Sequence, residues 1–419
     1  MKQYKEYKDS GVKWIGTIPS YWKRMRYKDI FQILDEKVGT IKDLTLLSLT
    51  KKGVIIRDLS EGKGKFPKDF ESYKIVHPNN LILCLFDVDE TPRTVGVSNT
   101  EGMITGAYDI FSVKNALLDY VYYLYLSFDD KKCLKPLYKG LRKVIPLPVL
   151  LSSYIYLPLE QEQQAIVSYL DNKVSKIDKY ISTAEKKIAA LDELKQVTIA
   201  DAVTHGINPN TSMKDSGIPW IGMVPEHWKL TRIKFLFNEI SEKEHPEESC
   251  LCSTQKYGVI PQSMYENRVV VVNKGLENLK FVRKGNFVIS LRSFQGGIEI
   301  AHYQGIISAA YTILSLGSKN ISSNYIKYLF KSSPFIQLLQ TCVTGIREGQ
   351  NINYELLRRQ FIPIPTLSQQ NEIVSYIDRK VAQIDKMKAA ELAQIGKLKE
   401  YKQRLISDVV TGKVKVTNE

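Results

Sequence analysis

One tryptophan-bearing phrase is written twice in this chain. "KDSGVKWIGTIPSYWK" occupies residues 8–23, and "KDSGIPWIGMVPEHWK" occupies residues 214–229. Asp9, Gly11, Trp14, Pro19 and Trp22 thereby pair with Asp215, Gly217, Trp220, Pro225 and Trp228, and all four tryptophans lie in these two copies. Lys23, Arg26, Lys28 and Phe31 recur just after it as Lys229, Arg232, Lys234 and Phe237. A second likeness joins "LPLEQEQQAIVSYLDNKVSKIDKYI" (157–181) to "IPTLSQQNEIVSYIDRKVAQIDKMK" (364–388). The 419 residues are therefore two consecutive copies of one unit, alike at the edges and different in the interior. Edges that agree imply a shared scaffold or partner, and interiors that differ imply two versions of a reading head.

The segments after Pro158 and Pro365 carry apolar residues at steps of three and four. Ile166, Leu170, Val174, Ile177, Ile181, Ala184, Ile188 and Leu191 form the first seam. Ile373, Ile377, Val381, Ile384, Ile395, Leu398, Leu405 and Val409 form the second. Proline before each run and Gly206 or Gly412 after it are helix start and stop signals. A rod of roughly 65–70 Å, at 1.5 Å per residue, needs a partner for such a seam. The other copy is the nearest candidate, and pairing with it makes the rods antiparallel. The interiors, "NLILCLFDV" and "NFVISLRSF" included, read as α/β with strand emphasis, and "LDYVYYLYLSF" and "SNYIKYLFKS" read as short helices.

The fold class expected is α+β. Two tandem α/β domains are separated by two long α-helices that pair as an antiparallel coiled coil with pseudo-two-fold symmetry. The segments are residues 1–157, a first domain; 158–206, the first helix; 207–363, a second domain; 364–412, the second helix; and 413–419, a tail. The same symmetry places the N-terminus beside the C-terminal end of the second helix, near Gly412. Trp14, Trp22, Trp220 and Trp228 then read as structural anchors that pack each head onto its rod.

Charge narrows the partners. Lys and Arg outnumber Asp and Glu by 59 to 45, and the net charge is +14. Residues 1–210 hold 31 bases against 26 acids, and residues 211–419 hold 28 against 19. Both halves are basic, so no single tail explains the excess, and nucleic acid is the commonest polyanion to answer it. The five cysteines lack zinc-finger spacing and fit a reducing cytoplasm. The N-terminal residues do not resemble a signal peptide, and no apolar run approaches a membrane span.

The doubled "W-I-G-x-[IV]-P-x-x-W", the "[LI]-P-x-L-x-x-Q-x-x-I-V-x-[YF]-[LI]-D" entry into each long helix and the two-copy plan together resemble the specificity (S) subunit of Type I restriction–modification systems. The likeness spans essentially the whole chain. One departure stands at the second helix entry, where Gln369-Gln370 replaces the Glu-Gln seen at Glu162-Gln163. The resemblance implies that each variable interior is a target-recognition domain reading one half of a bipartite double-stranded DNA site. It also implies that the helices set the spacer and dock two methyltransferase (M) subunits, through which restriction (R) motor-nuclease subunits join.

The sequence argues against chemistry of its own. No [DN]-P-P-[YF] tetrapeptide occurs, and Gly62-Lys63-Gly64-Lys65 lacks the upstream glycine and following Ser or Thr of a phosphate loop. The five histidines show no metal-ligand spacing, so no catalytic residue, metal or cofactor is assigned. An enzyme uniting recognition with catalysis is disfavoured by those missing motifs. A coiled-coil scaffold without DNA would leave the basic charge of both halves unexplained.

Base reading needs Arg, Lys, Asn, Gln or Ser on elements that can enter a groove. Two places in each copy qualify. The loop after the central strand offers Arg93 and Thr94, and Arg292, Ser293 and Gln295. The segment before the final strand offers Lys139, Arg142 and Lys143, and Arg347, Gln350, Asn351 and Asn353. Lys51, Lys52, Lys256 and Arg268 complete the DNA-binding candidates.

Overall fold

The computed structural model describes residues 2–12, 14–39, 44–57, 70–139, 143–266, 274–345 and 351–416. Its α-helices in chain order are α1 (Leu118–Asp130), α2 (Leu147–Ser152), α3 (Glu160–Thr204), α4 (Ser293–Gly296), α5 (Ser323–Lys331), α6 (Ser333–Thr341), α7 (Tyr354–Leu357) and α8 (Leu367–Val410). The chain divides into two compact units, Met1–Ala184 with Ala393–Glu419, and Glu185–Leu392. Both divisions fall inside the long helices, so each unit takes half of α3 and half of α8. These units do not follow the segment boundaries expected from the repeat, because each half-seam is buried together with the head beside it.

In the first unit, an antiparallel sheet has the strand order Phe31–Leu34, Asp109–Val113, Leu81–Leu83, Val95–Val97. Strand Lys23–Arg26 pairs with Tyr154–Leu157, which leads straight into α3. Helix α1 ties the head to both rods. The Leu117 backbone N–H donates to Gln163 Oε1 at 2.9 Å near the start of α3, and the Tyr120 hydroxyl donates to the Val410 carbonyl at 3.0 Å at the end of α8. Ile166, Leu170, Ile177, Ile395, Leu405 and Val409 of the expected seams are buried. The two ends of the chain meet where Lys2 bridges Lys415.

The second unit repeats this frame. Its sheet has the order Phe237–Ile240, Thr312–Leu316, Phe287–Ile289, Glu299–Ile300. Strand Lys229–Arg232 pairs with Phe361–Ile364 ahead of α8. The Tyr325 hydroxyl reaches the Val203 carbonyl at 3.1 Å, and the Ser322 N–H donates to Gln370 Oε1 at 2.7 Å. Lys187–Glu391 (2.5 Å), Lys388–Asp192 (2.6 Å) and Lys195–Asp385 (2.9 Å) rise along α3 as they fall along α8, so the rods run antiparallel. Exposed pairs like these contribute about 0–1 kcal/mol each. The buried seam, with Ile373, Ile377 and Ile384, does most of the holding.

The doubled phrase sits against the helix stops. Trp22 and Trp228 are 2% and 3% exposed. Gly412 (φ +75°) ends α8 so tightly that an added Cβ would lie 2.3 Å from Pro19 Cδ and 3.1 Å from the Trp22 ring. Gly206 (φ +81°) does the same after α3, with the Trp228 ring at 3.3 Å. A left-handed residue that also has no room for a side chain is a position for glycine. Trp220 is half-buried and meets Phe335 edge-on at 5.7 Å, while Trp14 is half-buried.

Candidate nucleic-acid interface

Each head carries a hairpin beside the outer strand of its sheet. Strands Leu47–Thr50 and Gly53–Ile56 form the first, and Leu251–Thr254 and Gly258–Pro261 the second. Their turns present Lys51 and Lys52, and Lys256, all exposed. In the second unit the hairpin, the loop bearing α4 and the strand Glu299–Ile300 enclose a cavity of about 1040 Å³. Four residues singled out from sequence line it: Lys256, Arg292, Ser293 and Gln295.

Their roles within it differ. Arg292 and Gln295 are exposed, whereas Ser293 is buried and its Oγ accepts from the Ser290 N–H at 2.8 Å, fixing the turn that carries its neighbours. The Lys256 ammonium lies 4.8 Å from the Tyr257 ring centroid, and Tyr257 and Tyr303 are exposed at the cavity wall. At the floor, Glu299 is 5% exposed and takes the Lys331 ammonium at 2.5 Å. Lys331 also donates to the Gln255 carbonyl at 3.1 Å. Burial pushes the Glu299 carboxyl up to about 7 against the pull of Lys331. His302 is held below its usual value by burial, with Lys327 and Lys284 adding to the effect. Cations, an amide and aromatic faces at the mouth suit phosphates and base edges.

The first unit treats its candidates otherwise. Arg93 Nη1 is 2.9 Å from Asp129 Oδ2 and 3.1 Å from Asp130 Oδ1, and Thr94 is buried with its hydroxyl donating to Asp129 at 2.6 Å. These two hold the loop against α1. Lys143 pairs with Glu90 and lies 3.7 Å from Asp89, so it also has acidic partners within its own head. Lys139 is exposed. In the second unit, Asn351 is exposed on a short strand, and Asn353 caps α7 by accepting from the Leu356 N–H at 3.3 Å. Arg142, Arg268, Arg347 and Gln350 lie outside the described residues, as does the Gly62–Lys65 stretch.

Sequence reasoning missed the floor of the cavity. Glu299 interrupts the apolar run "GGIEIA", and a carboxylate inside such a run was the available signal. Lys331 carried none, since it closes a helix like any terminal lysine. Gln163 and Gln370 were visible only as part of the helix entry. Each is buried and also donates its amide to the carbonyl of the preceding proline, at 3.0 and 2.9 Å.

Residues 225–397 match the family profile of the Type I restriction modification DNA specificity domain. The putative type I restriction enzyme MjaX specificity subunit of Methanocaldococcus jannaschii is 23% identical, over 96% of each chain. The type I restriction enzyme EcoBI specificity subunit of Escherichia coli is 21% identical over 62% of this chain and 58% of its own length. In fold, the chain is similar to one solved in a study of complex assembly and conformational transition of the type I R-M system, with a TM-score of 0.66 at 14% identity over 95% and 99% of the two chains. It is also similar to the HsdS subunit of Thermoanaerobacter tengcongensis, with a TM-score of 0.50 at 14% identity over 95% and 98%. Residues 225–397 thus match the Type I specificity domain, and the chain is similar along almost its whole length to a specificity subunit of that kind.

Proposed function

We propose that residues 1–157 and 207–363 are two target-recognition domains, each reading one half of a bipartite site in double-stranded DNA. The long helices, α3 and α8, fix the spacer between the halves and dock two adenine-methyltransferase subunits, and through these the restriction motor-nuclease joins. The chain itself performs no catalysis and takes no cofactor; it supplies address rather than chemistry. Its workplace is the cytoplasm, and among the described residues no helix is long and apolar enough to cross a membrane. The four tryptophans of the doubled phrase are anchors between head and rod.

The observation that carries this reading is the meeting of Lys256, Arg292 and Gln295 at one open cavity in the second head. Lys51 and Lys52 hold the corresponding hairpin turn in the first. A salt titration of duplex binding by the chain together with its methyltransferase subunits tests it. Affinity is expected to fall linearly in log–log form, and a binding constant indifferent to salt contradicts phosphate engagement. Arg347, outside the described residues, stays a proposed base reader. Its replacement by alanine is expected to cost about 1–3 kcal/mol of specific binding.

A further inference from the structure

The edges of the two copies agree in charge as well as in fold. Arg26 ends the strand Lys23–Arg26 opposite Tyr154, and Arg232 ends the strand Lys229–Arg232 opposite Phe361. Each guanidinium lies over the ring across from it, at 5.5 Å in the first copy and 4.9 Å in the second. A 3-10 turn follows at once in both copies and presents a lysine, Lys28 in one and Lys234 in the other. The first copy adds Arg24, stacked on the same Tyr154 ring at 3.5 Å. Among the described residues, no carboxylate pairs with any of these five side chains. Arg24, Arg26, Lys28 and Arg232 are exposed, and Lys234 is half-buried.

We infer that these twin strand ends are phosphate clamps, each gripping the sugar–phosphate backbone beside the half-site its own head reads. The inference rests on the reading of the chain as a DNA-recognition subunit. Two heads with different interiors face different bases, yet each faces the same phosphates. A feature held constant across copies that otherwise diverge matches the part of the ligand that is also constant. The stacking matters too. A guanidinium held over a ring loses less freedom on meeting a phosphate, and Arg26 is fixed further by donating one of its N–H groups to the Tyr154 hydroxyl at 3.3 Å. Lysine in the adjoining turn supplies a second cation, and in the second copy the Lys234 ammonium lies 4.9 Å from the Phe235 ring centroid.

Because phosphate contacts do not depend on sequence, the test needs no knowledge of the recognition site. The full chain is titrated with a random-sequence 40-base-pair duplex at a series of salt concentrations, alone and with its methyltransferase subunits. In Arg24→Gln/Arg26→Gln/Lys28→Gln, the log–log salt slope is expected to fall by about 2–3, and in Arg232→Gln/Lys234→Gln by about 2. A control, Lys176→Gln/Lys179→Gln/Lys186→Gln on the exposed surface of α3, removes as much charge as the first variant and, in the titration of the chain alone, where no methyltransferase subunit docks on α3, is expected to leave the slope within about 0.5 of the wild type. Thermal melts confirm that each variant folds. Equal loss in strip and control variants means bulk charge alone acts and overturns the clamps. An unchanged slope with lost methyltransferase co-purification reassigns the strips to a protein interface and also overturns them. A wild-type chain with no salt-dependent binding defeats the DNA reading itself, a different result from either.

Discussion

The two heads share a frame and part company at one register position. Gly96 pairs with Ile82 in the first sheet, and Glu299 pairs with Val288 at the same place in the second. A Cβ on Gly96 would lie 2.7 Å from Leu49 Cδ1 and 2.8 Å from Val54 Cγ2, because the first hairpin lies down on the sheet there. In the second head a carboxylate stands at that point, and Lys331 faces it from α5, where α1 has the buried Leu126. An apolar seal in one head thus becomes a polar floor beneath a 1040 Å³ cavity in the other. Divergence is concentrated at the face proposed to read DNA, while the tyrosines and glutamines that fasten head to rod stay the same.

That comparison can be broken in several ways, beginning with what the heads share. Trp22→Ala and Trp228→Ala each remove a buried indole at a helix stop and are expected to cost about 3–5 kcal/mol. Chemical denaturation checks this, and a cost confined to one of them would mean that the anchors are not equivalent. Next is the polar floor. A carboxyl pushed up to about 7 when folded, against an ordinary value of 4.5 unfolded, contributes stability that is complete below pH 4.5 and lost as pH rises through 7. Relative to Glu299→Gln, the wild type should therefore lose up to about 3 kcal/mol across that window. Hydrogen exchange in strand Phe287–Ile289 reads it out, and the Gly96 head should show no counterpart.

Smaller effects separate the two helix stops. Gly412→Ala forces both a left-handed alanine and an overlap with Pro19, for about 2–3 kcal/mol, whereas Gly206→Ala meets only the edge of Trp228, for about 1 kcal/mol. Equal melting shifts would contradict the closer packing at the C-terminal stop. The smallest concerns the helix entries. Glu162 accepts from the Tyr4 hydroxyl at 2.6 Å and the Tyr21 hydroxyl at 3.0 Å, while its counterpart Gln369 meets His227 at 2.7 Å. Glu162→Gln makes the first entry like the second and is expected to cost about 1 kcal/mol. Burial and the Glu162 charge push Tyr21 up to about 12, so the variant should ionise it at lower pH. Phenolate absorbance follows the change.

Much of this was legible from the repeat. Seam residues such as Ile166, Ile177, Ile377 and Val409 announced themselves by spacing, because a helix that buries one stripe must repeat it. Gly206 and Gly412 marked the stops, since few other residues accept that backbone. The heads were harder. Arg93 and Arg292 look alike in sequence, yet Asp129 and Asp130 hold the first while the second faces an open cavity. Which arginine is spoken for depends on acids about 36 residues away on α1, and periodicity carries no such information. The exchange of apolar packing for an ion pair at Glu299 and Lys331 was equally hidden, because the pair forms only when strand and helix have come together.

The most direct measurement is a map of methylated adenines in DNA from cells expressing the chain with its methyltransferase subunits. It should be made for the wild type and for Lys256→Ala/Arg292→Ala/Gln295→Ala. The expected wild-type result is a two-part sequence with a fixed unread spacer. The variant should keep the first half and the spacer while its second half becomes degenerate. A single uninterrupted site, or a variant that alters both halves together, would contradict a chain built from two independent reading heads.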